Sequence, residues 1–284
     1  MILRLPQCMI FVMKELVMPI LNMTAWRMEA PRLFGVFHIA AAVIAAAAAV
    51  LLASFFAKRV MNAEDPDKKL VKILTVTGAV LAVLEVYKQL FLFYIVNGGA
   101  YDWWFFPFQL CSVPMYLCIL QPIMAPRAQR VFLTFMGGYT LISAAAALIY
   151  PEDMLRTYTA LTLHGFIWHG ILLFISLLIL ITGRAGTSAK ALSKAAVLFA
   201  ALCSIAVMIN IMTEPLMQSL HATDPAIVHS YAAMFYLNPY HISPQPLVSA
   251  IQKTAGIPAG LLLYSIAVAA AGSVAARLLN KRDR

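Results

Sequence analysis

The chain has 284 residues, 62% of them hydrophobic and only 12% charged, with a mean hydropathy of +0.84. Soluble domains are nearer half apolar and a quarter charged, so this chain cannot cover a water-facing surface and belongs in a bilayer. Its net charge of +9 lies in short Lys/Arg clusters between apolar runs, not in a basic patch interleaved with exposed aromatics, which argues against nucleic-acid binding.

A helix needs about 20 apolar residues to cross the hydrocarbon core, and only helices and closed barrels satisfy the backbone there. No ten-residue alternation points to a barrel. Seven spans are predicted, at residues 33–56, 71–96, 103–124, 131–150, 160–182, 192–212 and 257–278. The predicted fold is therefore all-α: a polytopic membrane helix bundle of about seven transmembrane helices, with residues 33–278 as one domain.

Residues 1–32 come first and fit less well. Their apolar pieces are too short to span, Lys14-Glu15 breaks the run, and no small-residue cleavage site follows. They are expected to form an interfacial amphipathic segment or a start-site extension rather than a signal peptide. In the first span, His38 is the one polar group of note, a candidate cavity-lining residue or a packing histidine.

The second span reads LEVYKQLFLFY. Glu85 and Lys88 are three apart and Glu85 and Gln89 four apart, so all three share a helix face. Charged groups at membrane depth mark either a locked, neutralised pair or a polar cavity, and this face is expected to point inward.

The third span holds FFPFQLCSVPMYLC, with Pro107, Gln109, Cys111, Ser112 and Pro114 within eight positions. Pro114 removes a helical hydrogen bond, and the backbone carbonyl beside Cys111 is expected to be free for another partner. At helical spacing, Cys111, Met115 and Cys118 form one stripe. The fourth span carries Gly137-Gly138, a candidate small-residue helix contact. In the fifth, LTLHGFIWHGILLF, His164 and His169 are five apart and so about 140° apart around a helix. They are not expected to aim at one point, although each is a capable acid or base.

The four cysteines form no CxxC pair. A disulfide framework is not expected, and the cysteines in apolar spans behave as small hydrophobes by default. A zinc site from Cys111, Cys118 and a histidine is conceivable, but no spacing demands it. No metal and no cofactor are predicted. Residues 213–256 form a long outer loop rich in proline, histidine and aromatic residues, expected to cap the bundle. Residues 279–284 are a basic tail.

The basic clusters follow the first, third, fifth and seventh spans, while the loops NGGAYD and PEDMLRTY are nearly free of Lys and Arg. Positive-inside bias then puts the N-terminus outside and the C-terminus in the cytoplasm, as expected of a multi-pass protein of the cell membrane.

FPFQLCSVPMYLC resembles the P-L-[HQ]-L-C stretch of the YwaF-like bacterial integral membrane proteins, with Gln109 where many members have histidine. FGVFHIAA, LEVYKQLFLFY, FIWHGILLF and the outer-loop YAAMFYLNPYHISPQPL fit the same family pattern in the same order, over about residues 33–278. That family is related to a eukaryotic multi-span enzyme that moves fatty acyl groups between phospholipids through a membrane cysteine. The resemblance implies that Cys111 is the acyl-accepting nucleophile and His169 its base, with membrane lipids as substrate. The residue types suit such chemistry: a thiol needs a base or positive group to favour the thiolate, and Gln109 is a candidate oxyanion donor. Glu85, Lys88, Gln109, His164 and His38 are the further candidate cavity residues.

Two other functions compete. A small transporter would run a polar path past Glu85, Lys88, Gln109 and His169, although no internal repeat supports one. A non-catalytic scaffold or accessory subunit would use small-residue contacts such as Gly137-Gly138 to bind partners within the membrane.

Overall fold

The computed structural model describes residues 7–223 and 229–280. Helix α1 (Gln7–Thr24) leads into an extended strap, and α2 (Val36–Met61) is the first long apolar helix. Helix α3 (Pro66–Phe91) begins on an Asp65 N-cap whose carboxylate accepts the Lys68 N–H at 3.0 Å, with Pro66 in the first turn. Both residues favour a helix start for local reasons. It continues through a π-turn to Val96.

Helix α4 (Val113–Leu120) is short. Next come α5 (Pro126–Phe135), a π-turn at Met136–Thr140 and α6 (Leu141–Ile149), which together form one long rod. Helices α7 (Thr159–Ile181), α8 (Ala189–Thr223), α9 (Pro246–Ala255) and α10 (Ile257–Leu278) complete the chain. Among the described residues, six helices are long and apolar enough to cross a membrane, and Val113–Ile123 is a shorter apolar one. The protein is a polytopic all-α bundle.

The third predicted span is where the expectation fails. Trp103–Phe105 make a single 3₁₀ turn, residues 106–112 are irregular, and the helix starts only at Val113. Pro114 sits in the first turn of α4, where a missing N–H costs nothing. It opens a helix and does not kink one. Cys111 therefore lies outside the helix and shares no stripe with Met115 and Cys118. Those two are buried in the core, with the Cys118 sulfur 3.6 Å from that of Met136. Irregular backbone survives at membrane depth only where protein buries it or it lines a cavity.

The π-turn also has a packing reason. It presses Gly138 against the carbonyl of Gly272 on α10, and the Tyr139 ring lies over Gly272. Gly137 faces Ala185, Leu180 and Ile179 inside the same bundle. Both glycines are thus spent within the chain, which corrects the expectation that they offer a contact to a partner.

The two ends of the bundle differ. Basic residues crowd one end, where Arg184 pairs with Asp67 at 3.0 Å and Asn280 donates to the Ala185 carbonyl at 2.6 Å. Lys281 to Arg284, the rest of the predicted tail, lie outside the described residues. At the opposite end the strap after α1 bridges to the start of α7, with Met28 N–H to Thr157 O at 2.9 Å and Thr159 N–H to Trp26 O at 3.0 Å. Leu21 of α1 is buried there against Phe91, Tyr158 and Leu161. The first six residues of the predicted interfacial segment lie outside the described residues.

Helix α8 runs eleven residues beyond the predicted end of the sixth span, and residues 229–245 then cross the same end of the bundle. Two side-chain amides clamp this crossing. Asn210 of α8 accepts from Met234 N–H at 2.7 Å and donates to Met234 O at 3.1 Å. Gln109 accepts from Phe235 N–H at 2.8 Å and donates to Ala233 O at 3.1 Å. Phe235 and Tyr236 both adopt left-handed backbone, with φ of 54° and 58°. That conformation is costly for bulky residues, and the paired amides hold it in place.

Candidate functional site

The irregular stretch 106–112 forms one wall of a cavity of about 350 Å³. Cys111 lines it, and so do Gln109, Lys88, His164 and His169. Five candidate residues from α3, the third segment and α7 are thus brought to one space. The two histidines reach it together because the cavity spans a wide arc of α7, contrary to the expectation from their 140° separation.

The wall is positioned from α7. Trp168 donates its indole N–H to the Cys111 carbonyl at 3.1 Å. The carbonyl expected to be freed by Pro114 is the one beside it, that of Leu110, and this bond arises instead because the helix begins after Cys111. Its ring also stacks on His164, with centroids 5.6 Å apart, and lies 5.9 Å from the Lys88 ammonium. Sequence reasoning passed over Trp168, since an aromatic residue in a span is ordinary packing.

The hydrogen bonds decide the histidine tautomers. Backbone carbonyls only accept, so His169 Nδ1 carries the proton it gives to Gly165 O at 2.8 Å. Its Nε2 is then the basic nitrogen, and it has no partner among the described residues. His164 has the reverse arrangement, with Nε2–H donating to Leu84 O at 3.1 Å and Nδ1 left basic. His38 stands apart from the cavity. Its Nδ1 accepts from Phe34 N–H at 3.0 Å just before α2, and its Nε2 donates to Leu148 O of α6 at 3.0 Å, so both nitrogens are used in local and helix-to-helix packing. The expectation of a cavity-lining His38 is corrected accordingly.

Glu85 also stays off the cavity wall. It sits behind Lys88, paired to it at 2.8 Å, and accepts from Gln89 at 2.7 Å. Gln89 extends the network to Phe105 O at 2.6 Å. The expected shared face forms, and it presents one ammonium to the cavity with its counter-charge held behind it. Gln109 lines the space, but both ends of its amide are committed to residues 233–235. It is a clamp, so the expectation of an oxyanion donor there is corrected. The N–H groups of Leu110 and Cys111 have no acceptor among the described residues.

Toward the loop end the lining turns polar, with Tyr150, Glu152, Asp153, Arg156, Tyr236 and Gln245. Tyr236 donates to Asp153 Oδ2 at 2.8 Å. Burial, then the Asp153 carboxylate, hold that phenol well above its ordinary pKa, so it stays a donor. Burial lowers the Arg156 pKa against the opposing pull of Asp153 and Asp102, yet a guanidinium remains protonated in proteins. Arg156 was missed because its loop was read only for its scarcity of charge. Among the described residues no cluster of three or more His, Cys, Asp or Glu is arranged to hold a metal, and Cys118 lies in the core, away from Cys111.

No curated protein and no solved structure matches the chain. The TMEM164 family profile matches residues 33–270, which takes in every helix from α2 to α9 and most of α10. The chain belongs to the TMEM164 family, a family of multi-span membrane proteins.

Proposed function

We propose that the protein is a thiol-dependent acyltransferase acting on membrane phospholipids, with Cys111 as nucleophile and His169 as general base. The observation that carries this reading is the shared cavity. A thiol on irregular backbone, an imidazole with a free basic nitrogen and a half-buried ammonium all face one partly apolar space. The resemblance to the YwaF-like proteins and their acyltransferase relative points the same way.

In the first half-reaction the Cys111 proton passes to His169 Nε2, directly or across one water. The Lys88 ammonium favours the thiolate by charge. Sulfur attacks the ester carbonyl, and the oxyanion is met by the unpaired N–H groups of Leu110 and Cys111. The ester C–O bond then breaks, the imidazolium returns its proton to the departing alkoxide, and a lysophospholipid leaves a thioester on Cys111. The second half-reaction reverses these steps with a different lysophospholipid hydroxyl. With the basic end in the cytoplasm, the cavity opens on the outer side of the cell membrane, near the depth of lipid ester bonds.

Intact-protein mass spectrometry after incubation with phospholipid tests this. A hydroxylamine-labile acyl adduct is expected on the parent chain, absent from Cys111→Ala and discharged by added lysophospholipid. A folded parent chain that yields no adduct even in short-time trapping removes the proposal.

A further inference from the structure

Arg156 is held in an unusual way for a cation at the rim of a membrane protein. Its backbone exchanges two hydrogen bonds with Thr162 Oγ1, at 2.9 and 3.1 Å. Its Nε donates to Asp153 O at 2.8 Å, and its Cζ lies 4.8 Å from the centroid of the Phe105 ring. One edge and one face of the guanidinium are therefore fixed. The two Nη groups have no acceptor, and no carboxylate lies within 4.0 Å, among the described residues. The neighbouring Asp153 carboxylate accepts from Tyr236 through Oδ2 and acts on Arg156 by charge without an ion-pair contact.

The guanidinium is half-exposed at the rim, and Asp153 and Asp102 act on it by charge at longer range, so its free Nη donors are open to an incoming anion. A fixed guanidinium fork matches the oxygens of a phosphate in paired hydrogen bonds. We propose that Arg156 is the seat for the phosphate of a membrane phosphodiester, and that it holds a glycerophospholipid by its headgroup while the ester reaches Cys111. The second clause rests on the acyl-transfer function above. Glu152 and Asp153 line the same rim and repel a second negative charge, so the seat favours a singly charged diester over inorganic phosphate.

The test uses the full chain in detergent, with Cys111→Ala as background so that binding is read without chemistry. Native mass spectrometry titrates dioleoylphosphatidylcholine and dioleoylglycerol, which share acyl chains and differ in the phosphate headgroup. Arg156→Gln is expected to weaken phosphatidylcholine binding about tenfold or more and leave diacylglycerol unchanged. Arg156→Lys, which keeps the charge and loses the fork, is expected to recover part of the binding, and it decides the matter if Arg156→Gln does not fold. Unchanged phosphatidylcholine binding in both variants overturns the proposal, as does an equal loss of both lipids. Displacement of the lipid by inorganic phosphate at equal concentration overturns the lipid assignment. A missing thioester on the parent chain removes the acyl-transfer function and leaves the headgroup result standing. A normal thioester yield without phosphate discrimination removes only the seat.

Discussion

The indole N–H of Trp168 lies 3.1 Å from the carbonyl oxygen of Cys111, and His169 is the next residue on the same helix. One hydrogen bond therefore sets the position of the thiol-bearing wall against the helix that carries the base. Trp168→Phe keeps an aromatic ring, a smaller one, and removes the donor. It is expected to slow thioester formation by about tenfold or more, since small misplacements of reacting groups are costly. Time-resolved adduct trapping checks it, with thermal unfolding run in parallel so that rates are read per folded molecule.

The histidines divide by role. His169→Ala is expected to lower the adduct rate by about a hundredfold or more, as loss of a general base does. His38→Ala removes one buried hydrogen bond from α2 to α6 and one local bond to Phe34, and is expected to cost about 1–3 kcal/mol of stability. Its adduct rate per folded molecule is expected to stay at the parent value. Parallel unfolding and trapping measurements separate the two.

Lys88 and Glu85 form a buried pair, with side chains 21% and 6% exposed. Lys88→Met alone leaves the Glu85 carboxylate without its cation and is expected to destabilise by about 3 kcal/mol or more. Adding Glu85→Leu is expected to restore most of that stability, while thioester formation stays slow for want of the ammonium. Unfolding of the single and double variants gives the coupling energy.

Gln109 and Asn210 each bridge N–H and C=O groups of the crossing at residues 233–235. Gln109→Ala or Asn210→Ala is expected to release the left-handed turn at Phe235 and Tyr236, at about 1–3 kcal/mol locally. Hydrogen exchange in residues 229–245 should rise in either variant, and that of α7 should not.

Gly138→Ala places a methyl group against the Gly272 carbonyl, a backbone atom with no rotamer to escape into. A loss of about 3 kcal/mol is expected, in line with core overpacking. Thermal unfolding in detergent reads it directly. Gly165→Ala meets Met154 Cβ at 2.8 Å, an atom that no rotamer moves away, so a destabilisation is expected there too.

The spans, their order and the basic end were legible because apolar length and charge placement are local properties of the chain. The Glu85, Lys88 and Gln89 face was legible for the same reason, since helical spacing alone brings those side chains together. The third span misled because two prolines seven apart look alike in a sequence. Whether Pro114 kinks a helix or starts one depends on where the helix begins. Gln109 looked like an available amide, and the residues that consume it come 124 positions later.

By itself the sequence determined a polytopic helical bundle with one basic end, because burial in lipid follows from composition and length. Only the tertiary structure decided which polar groups meet. Cys111, Lys88, His164 and His169 share a cavity, His38 is spent in packing, and Arg156 stands at the rim with no acceptor for its Nη groups among the described residues. The physical reason is that a side chain's partner is set by the packing of segments distant in sequence, and that packing leaves no local trace.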